Sequence, residues 1–203
     1  MSEDKRVLIK ESTLTALADA VRAKTGTEAD LLPSEMSVAV DGIEPAGAYK
    51  EALNGMIDGT ITEIESQAES IGEYAFYKRP SLTTANFPVV TSIGSFAFGY
   101  CSSLTTVDFP AATSIGDYTF YNCTSLKALI LRKSDAICTL LSSSAFTTST
   151  PIASGTGYIY VPRSVIDSYK STAPWSGVAS QFRALEDYTV DGTITGALDE
   201  SKI

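Results

Sequence analysis

Three cysteines, Cys101, Cys123 and Cys138, are the side chains of this sequence best suited to chemistry. The first two occupy equivalent positions of an internal repeat described below, and thiols on neighbouring structural units can form a disulfide or hold a metal ion. The same arrangement also suits a ladder of small, buried apolar side chains. We favour the ladder, because an odd number of cysteines in a chain without a secretory signal is typical of reduced thiols.

Catalytic signatures are missing from the rest of the sequence. There is no histidine, which excludes Ser-His-Asp and Cys-His sites, the usual zinc triads and the commonest general base. The sequence also lacks a G-x-x-x-x-G-K-[ST] phosphate loop, a G-x-G-x-x-G dinucleotide motif and a C-x-x-C pair. We therefore expect a protein that is not an enzyme and that has no cofactor.

Carboxylates are numerous but do not form a metal-binding pattern. Asp108 and Asp117 do not lie in a loop with the regular oxygen-ligand spacing of a calcium site. Four glutamates are close together in the sequence, and we interpret them as a solvated face: Glu63, Glu65, Glu69 and Glu73. We expect no metal site.

Net charge and hydropathy limit the kinds of partner. The net charge of −9 disfavours binding to phosphate backbones, which requires a cationic surface. No stretch approaches the roughly 20 apolar residues that span a bilayer, and the N-terminus lacks the apolar region of a secretory signal. We expect no nucleic-acid partner, no membrane insertion and synthesis in the cytoplasm.

The sequence contains an internal repeat. Segments that begin at Ser70, Ser92 and Ser114 align without gaps, so the period from the first to the second equals that from the second to the third. Six columns are identical in all three copies: Ser70/Ser92/Ser114, Ile71/Ile93/Ile115, Gly72/Gly94/Gly116, Phe76/Phe98/Phe120, Ser81/Ser103/Ser125 and Leu82/Leu104/Leu126. A period of this length is typical of stacked architectures, in which one unit cannot bury its own apolar face.

Each repeat predicts one coil of a solenoid. Leu104, Val107 and Phe109 follow a Leu-x-x-Leu-x-Leu pattern, which turns alternate side chains of a short strand toward a shared interior. Ile93 and Phe98 would close that interior from the opposite wall. Coils of this kind stack at about 4.8 Å per rung.

The turns and ends of the repeats lead to further predictions. Gly94 follows a strand where the chain must turn sharply, and we expect it to use a positive φ. Upstream, Ile61 and Ile64 resemble a shortened first strand. Downstream, Ile137 falls one further period after Ile115, although its companions are lost. Atypical terminal repeats are expected where a solenoid must cap its core.

At these residues the chain resembles the BspA-like leucine-rich-repeat family, whose repeats read roughly I-G-x-x-A-F-x-x-C-x-x-L-x-x-V-x-x-P. The best match is AFGYCSSLTTVDFP, Ala97–Pro110. Arg79 stands in place of the cysteine in the first copy, and Leu131 and Arg132 replace the Phe-Pro ending in the third. The resemblance extends from about residue 60 to residue 132 and implies a leucine-rich-repeat solenoid.

The block Gly155–Leu185 is similar to the C-terminal cap of such proteins in Gram-positive bacteria and their prophages. Tyr158–Val161 is predicted to be the final strand. A helix with proline in its first turn is predicted from Pro162 to Lys170. Four apolar residues recur at helical spacing, and we predict that they form a stripe that covers the last rung: Trp175, Val178, Phe182 and Leu185.

The N-terminal segment Ser12–Ile43 is similar to a short module common in virion and tail-associated proteins of phages of such bacteria. Its apolar residues form two helical stripes, which predict a hairpin with little core of its own: Leu14, Leu17 and Val21, then Met36, Val40 and Ile43. We expect this hairpin to dock on other virion proteins or on copies of itself. Because of the second possibility, we expect the protein to be a homo-oligomer. Asp191–Ile203 also looks phage-like and repeats the pentapeptide DGTIT of Asp58–Thr62.

The predicted fold is therefore mainly β with short helices, a leucine-rich-repeat β-solenoid with an N-terminal helical hairpin and a C-terminal αβ cap. The expected domains are an attachment and oligomerisation hairpin (1–46), a connector (47–59), the solenoid (60–136), the cap (137–187) and a tail (188–203).

Aromatic residues beside the core columns are the candidate ligand surface: Tyr74, Tyr77, Phe96, Tyr100, Tyr118 and Tyr121. Tyrosine supplies a rigid contact area with a polar tip, which suits recognition of a glycan or a protein. The alternative is that the rings stack only to seal the wall of the solenoid.

The resemblance implies a phage virion structural protein, such as a tail-associated, baseplate or head-fibre protein, that displays its repeats toward the host surface. The alternatives are a bacterial cell-surface adhesion module and an intracellular scaffold. The expected partners are other virion proteins and a host glycan or surface protein, and the expected location is the virion.

Overall fold

The structure of the chain, a computed structural model, describes residues 8–9, 62–146 and 150–202. These residues form two parallel β-sheets joined by turns and short helices. Within the described ranges, no helix combines the length and the apolar character that a bilayer crossing requires.

One wall of the protein is a seven-stranded sheet, the large sheet, in which all neighbouring strands are parallel. With strands numbered along the chain, its order is β1 (Leu8–Ile9), β2 (Glu63–Ser66), β4 (Thr84–Asn86), β6 (Thr106–Asp108), β8 (Ala128–Ile130), β10 (Tyr158–Val161) and β11 (Phe182–Ala184). The order shows that each coil adds one strand directly beside the strand of the preceding coil. The short first strand predicted around Ile64 is confirmed as β2, whereas Ile61 lies outside the described residues.

The opposite wall is a four-stranded parallel sheet, the small sheet. Its order is β3 (Ser70–Ile71), β5 (Ser92–Ile93), β7 (Ser114–Ile115) and β9 (Thr139–Leu140). Ile115 pairs with Leu140, so the prediction that Ile137 continues this column is wrong. The last strand follows β7 at a longer interval than the repeat period, because the chain departs from the repeat after β8.

The register of the large sheet builds the core as columns. One buried column runs through six strands: Ile64, Ala85, Val107, Leu129, Ile159 and Phe182. Leu104, Val107 and Phe109 are completely buried, which confirms the strand pattern predicted from the sequence. Leu82 and Leu126 are equally buried in the same core.

A stack of phenylalanine rings fills the space between the two sheets. Successive ring centroids are 5.2 Å apart for Phe76 and Phe98, 5.9 Å for Phe98 and Phe120, and 5.6 Å for Phe120 and Phe146. Each stacked pair contributes about 0.5–1.5 kcal/mol beyond the burial of its area. The stack ends against Trp175, whose ring centroid is 6.1 Å from that of Phe146.

Threonine hydroxyls add a second set of bonds between coils. The Thr105 hydroxyl donates to the Thr83 carbonyl oxygen at 3.0 Å, and the Thr105 amide donates to the same oxygen at 2.8 Å. Thr113 and Thr91 repeat the arrangement on the other wall, at 2.8 Å and 2.7 Å. Each of these carbonyl oxygens thus accepts hydrogen bonds from the next coil through both amide and hydroxyl groups.

Gly94 and Gly116 are explained by close packing of successive coils. A Cβ atom on Gly94 would lie 2.6 Å from the Glu73 nitrogen, and one on Gly116 would lie 2.7 Å from the Ser95 nitrogen. Gly94 has no positive φ, so that prediction is wrong. The glycine is needed because the backbone of the preceding coil occupies the place of a side chain.

The chain after β9 contains short helices and two strands of the large sheet. Helix α1 spans Pro151–Ser154, a 3₁₀ turn at Arg163–Val165 leads into α2 (Ile166–Ser171), and a second 3₁₀ segment spans Trp175–Gln181. The helix predicted from Pro162 therefore begins as a 3₁₀ turn and becomes α-helical only at Ile166. The strand predicted at Tyr158–Val161 is confirmed as β10, although β11 follows it in the sheet.

The helical stripe predicted for Trp175, Val178, Phe182 and Leu185 is wrong. Val178 has non-helical backbone angles, Phe182 begins β11 and Leu185 begins a separate 3₁₀ turn. The residues nevertheless lie at the end of the core, where Trp175 and Phe182 are in ring contact. The Trp175 indole donates to the Cys138 carbonyl oxygen at 2.6 Å, which holds this block against the last coil.

Because the coils pack closely, we predict that alanine substitution at two glycines of the same column lowers the free energy of unfolding by different amounts. We expect Gly116→Ala to lower the free energy of unfolding by about 1–3 kcal/mol, because the added methyl group meets rigid backbone. Gly72→Ala is the matched control, since no atom of the described residues lies within 4 Å of its added Cβ, and we expect a change within about 0.5 kcal/mol. Urea denaturation measures both values, and equal losses would contradict the close approach of the coils.

Candidate interaction surfaces

Two ladders of aromatic side chains lie side by side at the turns of the coils. Together they form the aromatic wall: Tyr74, Tyr77, Phe96, Tyr100, Tyr118 and Tyr121. In the first ladder, the Tyr74 and Phe96 rings stack at 5.1 Å with an interplanar angle of 7°, and the Phe96 and Tyr118 rings stack at 4.8 Å and 13°. The structure thus brings all six candidate residues into one surface.

The second ladder is built from two neighbouring sequence columns. Tyr77 and Tyr121 occupy one column, in which the middle coil has Gly99. Tyr100 fills the place of the missing ring, and its centroid lies 5.5 Å from that of Tyr77 and 5.2 Å from that of Tyr121. A Cβ on Gly99 would lie 2.9 Å from the Tyr77 ring, so the glycine makes room for this arrangement.

Several residues of the wall have left-handed backbone conformations. The φ angles are +57° at Tyr74, +54° at Phe96, +53° at Tyr118 and +63° at Tyr100. For residues other than glycine, asparagine and aspartate this region costs roughly 1–2 kcal/mol per residue. The same conformation occurs at Lys78 and Asn122, which share a repeat column with Tyr100, so it is a property of the turn in each described coil and does not depend on an aromatic side chain.

The wall is partly sealed and partly open to solvent. Tyr74 is 48% exposed, Tyr118 39% and Tyr100 36%, whereas Tyr77 and Tyr121 are half-buried. In the first ladder the rings turn their faces toward one another. Tyr77 and Tyr121 thus help to seal the wall of the solenoid, whereas Tyr74, Tyr100 and Tyr118 are accessible to solvent.

The cysteine columns have a structural explanation. The Cys101 thiol donates to the Phe76 carbonyl oxygen at 3.0 Å, and the Cys123 thiol donates to the Phe98 carbonyl oxygen at 3.0 Å. All three cysteines are free and buried. Burial raises the pKa of the Cys101 thiol to about 11 and that of Cys138 to about 12. The ladder of buried thiols predicted from the sequence is confirmed.

The carboxylates do not converge on a cation site. Glu63, Glu69 and Glu73 are exposed, as expected for a solvated face. Asp108 is paired with Arg132, whose guanidinium Nη2 lies 2.7 Å from its carboxylate. Within the described part of the chain, no group of three or more acidic or cysteine side chains is arranged to hold a metal ion.

The outer face of the large sheet changes character along the stack. On β4 and β6 it carries polar residues, Thr84, Asn86, Thr106 and Asp108, of which none is buried. On β8 and β10 it carries Ala128, Ile130, Tyr158 and Tyr160, of which all but Tyr158 are buried. These residues are covered by Tyr188–Asp199. From here on, the name tail refers to Tyr188–Asp199 alone, and not to the whole of residues 188–203.

Arg132 connects the tail to the solenoid, and sequence reasoning missed this role. Its Nη1 donates to the carbonyl oxygens of Ile194 at 2.6 Å and Gly196 at 3.0 Å. Its Nε and Nη2 donate to both carboxylate oxygens of Asp108. In the sequence Arg132 only interrupts the third repeat, and no local signal indicates partners so distant along the chain.

The predicted attachment surface lies outside the described residues. This concerns Leu14, Leu17, Val21, Met36, Val40 and Ile43. Of the segment 1–46, the structure describes only β1, which pairs in parallel with β2 through Leu8 and Glu65 and through Ile9 and Ser66. This strand was not predicted.

Comparison with known proteins identifies the repeats. Residues 50–167 match a family model described as a BspA type leucine-rich repeat region, in six copies. Since this match covers more than half of the chain, the chain belongs to the BspA-type leucine-rich repeat family. The match extends on both sides of the region identified from the sequence pattern, which ended at Arg132.

A search of curated proteins found no match. Among solved structures, the chain is similar to a leucine-rich repeat protein from Bacteroides ovatus ATCC 8483, with 22% identity and a TM-score of 0.44. The alignment covers 61% of this chain and 30% of the other, so this chain matches less than a third of that protein's length.

Proposed function

We propose that this leucine-rich repeat chain is an interaction protein and that its aromatic wall binds another protein. The observation that carries the proposal is the exposure of Tyr74, Tyr100 and Tyr118 in one contiguous surface. Tyrosine is enriched at protein interfaces, where a rigid ring with a polar tip contributes much of the binding energy.

The geometry of the rings favours a protein over a glycan as the partner. A sugar ring packs against an open aromatic face, but Phe96 has a ring stacked on each of its faces, and Tyr74 and Tyr118 each have one face covered by Phe96. Three partly exposed tyrosines, Tyr74, Tyr100 and Tyr118, form a row along the coils. Such a row complements the irregular mixture of carbonyl, amide and aliphatic groups that a protein surface offers.

At a finer level, we propose that the chain is a phage virion structural protein that displays this wall toward the host. The support is the similarity of Ser12–Ile43 to a module of virion and tail-associated proteins, together with the phage-like sequence Asp191–Ile203. In this proposal the N-terminal segment binds other virion proteins and copies of itself. The host partner of the wall is then a surface protein.

Removing two exposed rings tests the binding role of the wall. We expect the double variant Tyr74→Asn, Tyr118→Asn to bind intact cells of the source bacterium at least about tenfold more weakly than the unchanged chain, since two interface tyrosines are lost. Asparagine suits the left-handed backbone at both positions. Fluorescently labelled full-length chain and flow cytometry measure the binding.

The matched control is Leu141→Asn with Val190→Asn, which removes two exposed apolar side chains outside the wall. It should bind as the unchanged chain does. Protease treatment of the cells should abolish binding, whereas periodate oxidation of glycans should not. Unchanged affinity of the double tyrosine variant would contradict a role for the wall, and loss after periodate alone would contradict a protein partner.

Fractionation tests the virion proposal separately. After prophage induction in the source bacterium, we expect the full-length chain to sediment with phage particles in a density gradient, in a fixed ratio to the major capsid protein. Quantitative mass spectrometry of the fractions makes the measurement. Recovery of the chain on intact cells without particles would instead favour a cell-surface adhesion module and would contradict the virion role.

A further inference from the structure

The outer face of the large sheet ends in an apolar patch that the chain covers with its own tail. The patch consists of Ala128 and Ile130 on β8, Tyr160 on β10, and Leu185, all of which are buried. Four partly buried side chains pack against it: Tyr158, Tyr188, Ile194 and Leu198. Three of these belong to the tail, so the burial of the patch depends on the tail being in place.

Arg132 lies at the edge of the patch, where its guanidinium group is held in place and acts as a polar anchor for the tail. Asp108 holds the guanidinium from one side through three hydrogen bonds of 2.7–3.1 Å. The remaining nitrogen, Nη1, donates to two main-chain carbonyl oxygens of the tail. Ile194 and Gly196 lie at the turn of a hairpin that is closed by the antiparallel pair Thr189 and Leu198. Because the contacts are made to backbone, they recognise the turn irrespective of its side chains at those positions.

The tail itself is held less completely than the sheet beneath it. Two hydroxyl groups buried at this interface, those of Tyr160 and Thr189, lack a hydrogen-bond partner, which costs free energy that a looser arrangement would recover. The tail closes on itself through the amides of Val190 and Asp199, which donate to Ala197 and Tyr188. Opening of this hairpin would hydrate both hydroxyl groups without disturbing the sheet.

We propose that the patch and Arg132 form a binding site for a peptide hairpin with two aliphatic side chains, and that the tail is a built-in occupant that dissociates to admit it. The tail defines the chemistry of the ligand. Ile194 and Leu198 supply the aliphatic groups, and the carbonyl oxygens of Ile194 and Gly196 supply the acceptors for Arg132. The site is separate from the aromatic wall, which lies at the turns of the coils.

A cysteine placed under the tail tests whether the tail dissociates. In full-length Ala128→Cys, we expect a thiol reagent to label the introduced thiol at least about tenfold faster than the three native cysteines, because the tail opens without global unfolding. The native thiols are buried in the solenoid core and serve as internal controls. Peptide mapping by mass spectrometry assigns the labelling rate of each thiol.

Two variants of the tail test whether labelling depends on its contacts with the patch. Added to Ala128→Cys, Leu198→Asp should accelerate labelling of the introduced thiol several-fold, because it removes an aliphatic contact with the patch. Val190→Asp is the matched control, since Val190 is 72% exposed, and it should leave the rate unchanged. Labelling of the introduced thiol as slow as that of the native thiols in all three proteins would overturn the proposal.

A free peptide tests whether the open patch is a binding site. A synthetic peptide of residues 188–203 should slow labelling of the introduced thiol in the protein that carries both Ala128→Cys and Leu198→Asp, and the same peptide with Leu198→Asp should not. No protection by the first peptide, or equal protection by both, would overturn the binding site.

Ile130→Cys decides dissociation should Ala128→Cys prevent folding, because Ile130 lies in the same patch. The thiol introduced there must also be labelled at least about tenfold faster than the native cysteines. Equal labelling rates for all four thiols would overturn the proposal.

Discussion

Each coil of this protein can bury its apolar side chains only because the next coil lies directly on it in the same register. Ala85 pairs with Val107 and Val107 with Leu129, so each coil covers the apolar face of its neighbour. No single coil has enough side chains to form a core of its own. Hydrogen bonds, ring stacks and glycine positions all follow from this one constraint.

The same constraint shapes the surface. A side chain that points outward at one position of the coil is repeated on every coil at about 4.8 Å, which is close to the separation of stacked rings. Tyr74, Phe96 and Tyr118 therefore form a ladder on the outside, as Phe76, Phe98 and Phe120 do on the inside. The difference lies in exposure, and exposure is what makes the outer ladder available to a partner.

The sequence predicts the columns of side chains that the repeat forms, but not the contacts that one coil makes with the next. The spacing of Leu104, Val107 and Phe109 was sufficient to predict buried strands, because alternation along a strand is a local property. The role of Gly94 was predicted wrongly, because its restriction comes from the backbone of Glu73 in the preceding coil. Periodicity indicates which residues share a column, but it does not indicate how closely the backbones of successive coils approach each other.

The aromatic wall shows the same division. Its six residues could be selected from the sequence, since they stand beside the core columns. Their left-handed backbone, and the entry of Tyr100 into the gap at Gly99, arise only when coils are packed together. The patch under the tail could not be predicted at all, because Arg132 contacts Asp108, Ile194 and Gly196, which are remote from it in the sequence.

The stacking of the coils is tested most directly by nuclear Overhauser effects between leucine methyl groups in protein with selectively labelled leucines. Stacked coils predict strong cross-peaks that link Leu104 to both Leu82 and Leu126, and a much weaker one between Leu82 and Leu126, which lie two coils apart. Absence of the cross-peaks between neighbouring coils would contradict the stacked arrangement.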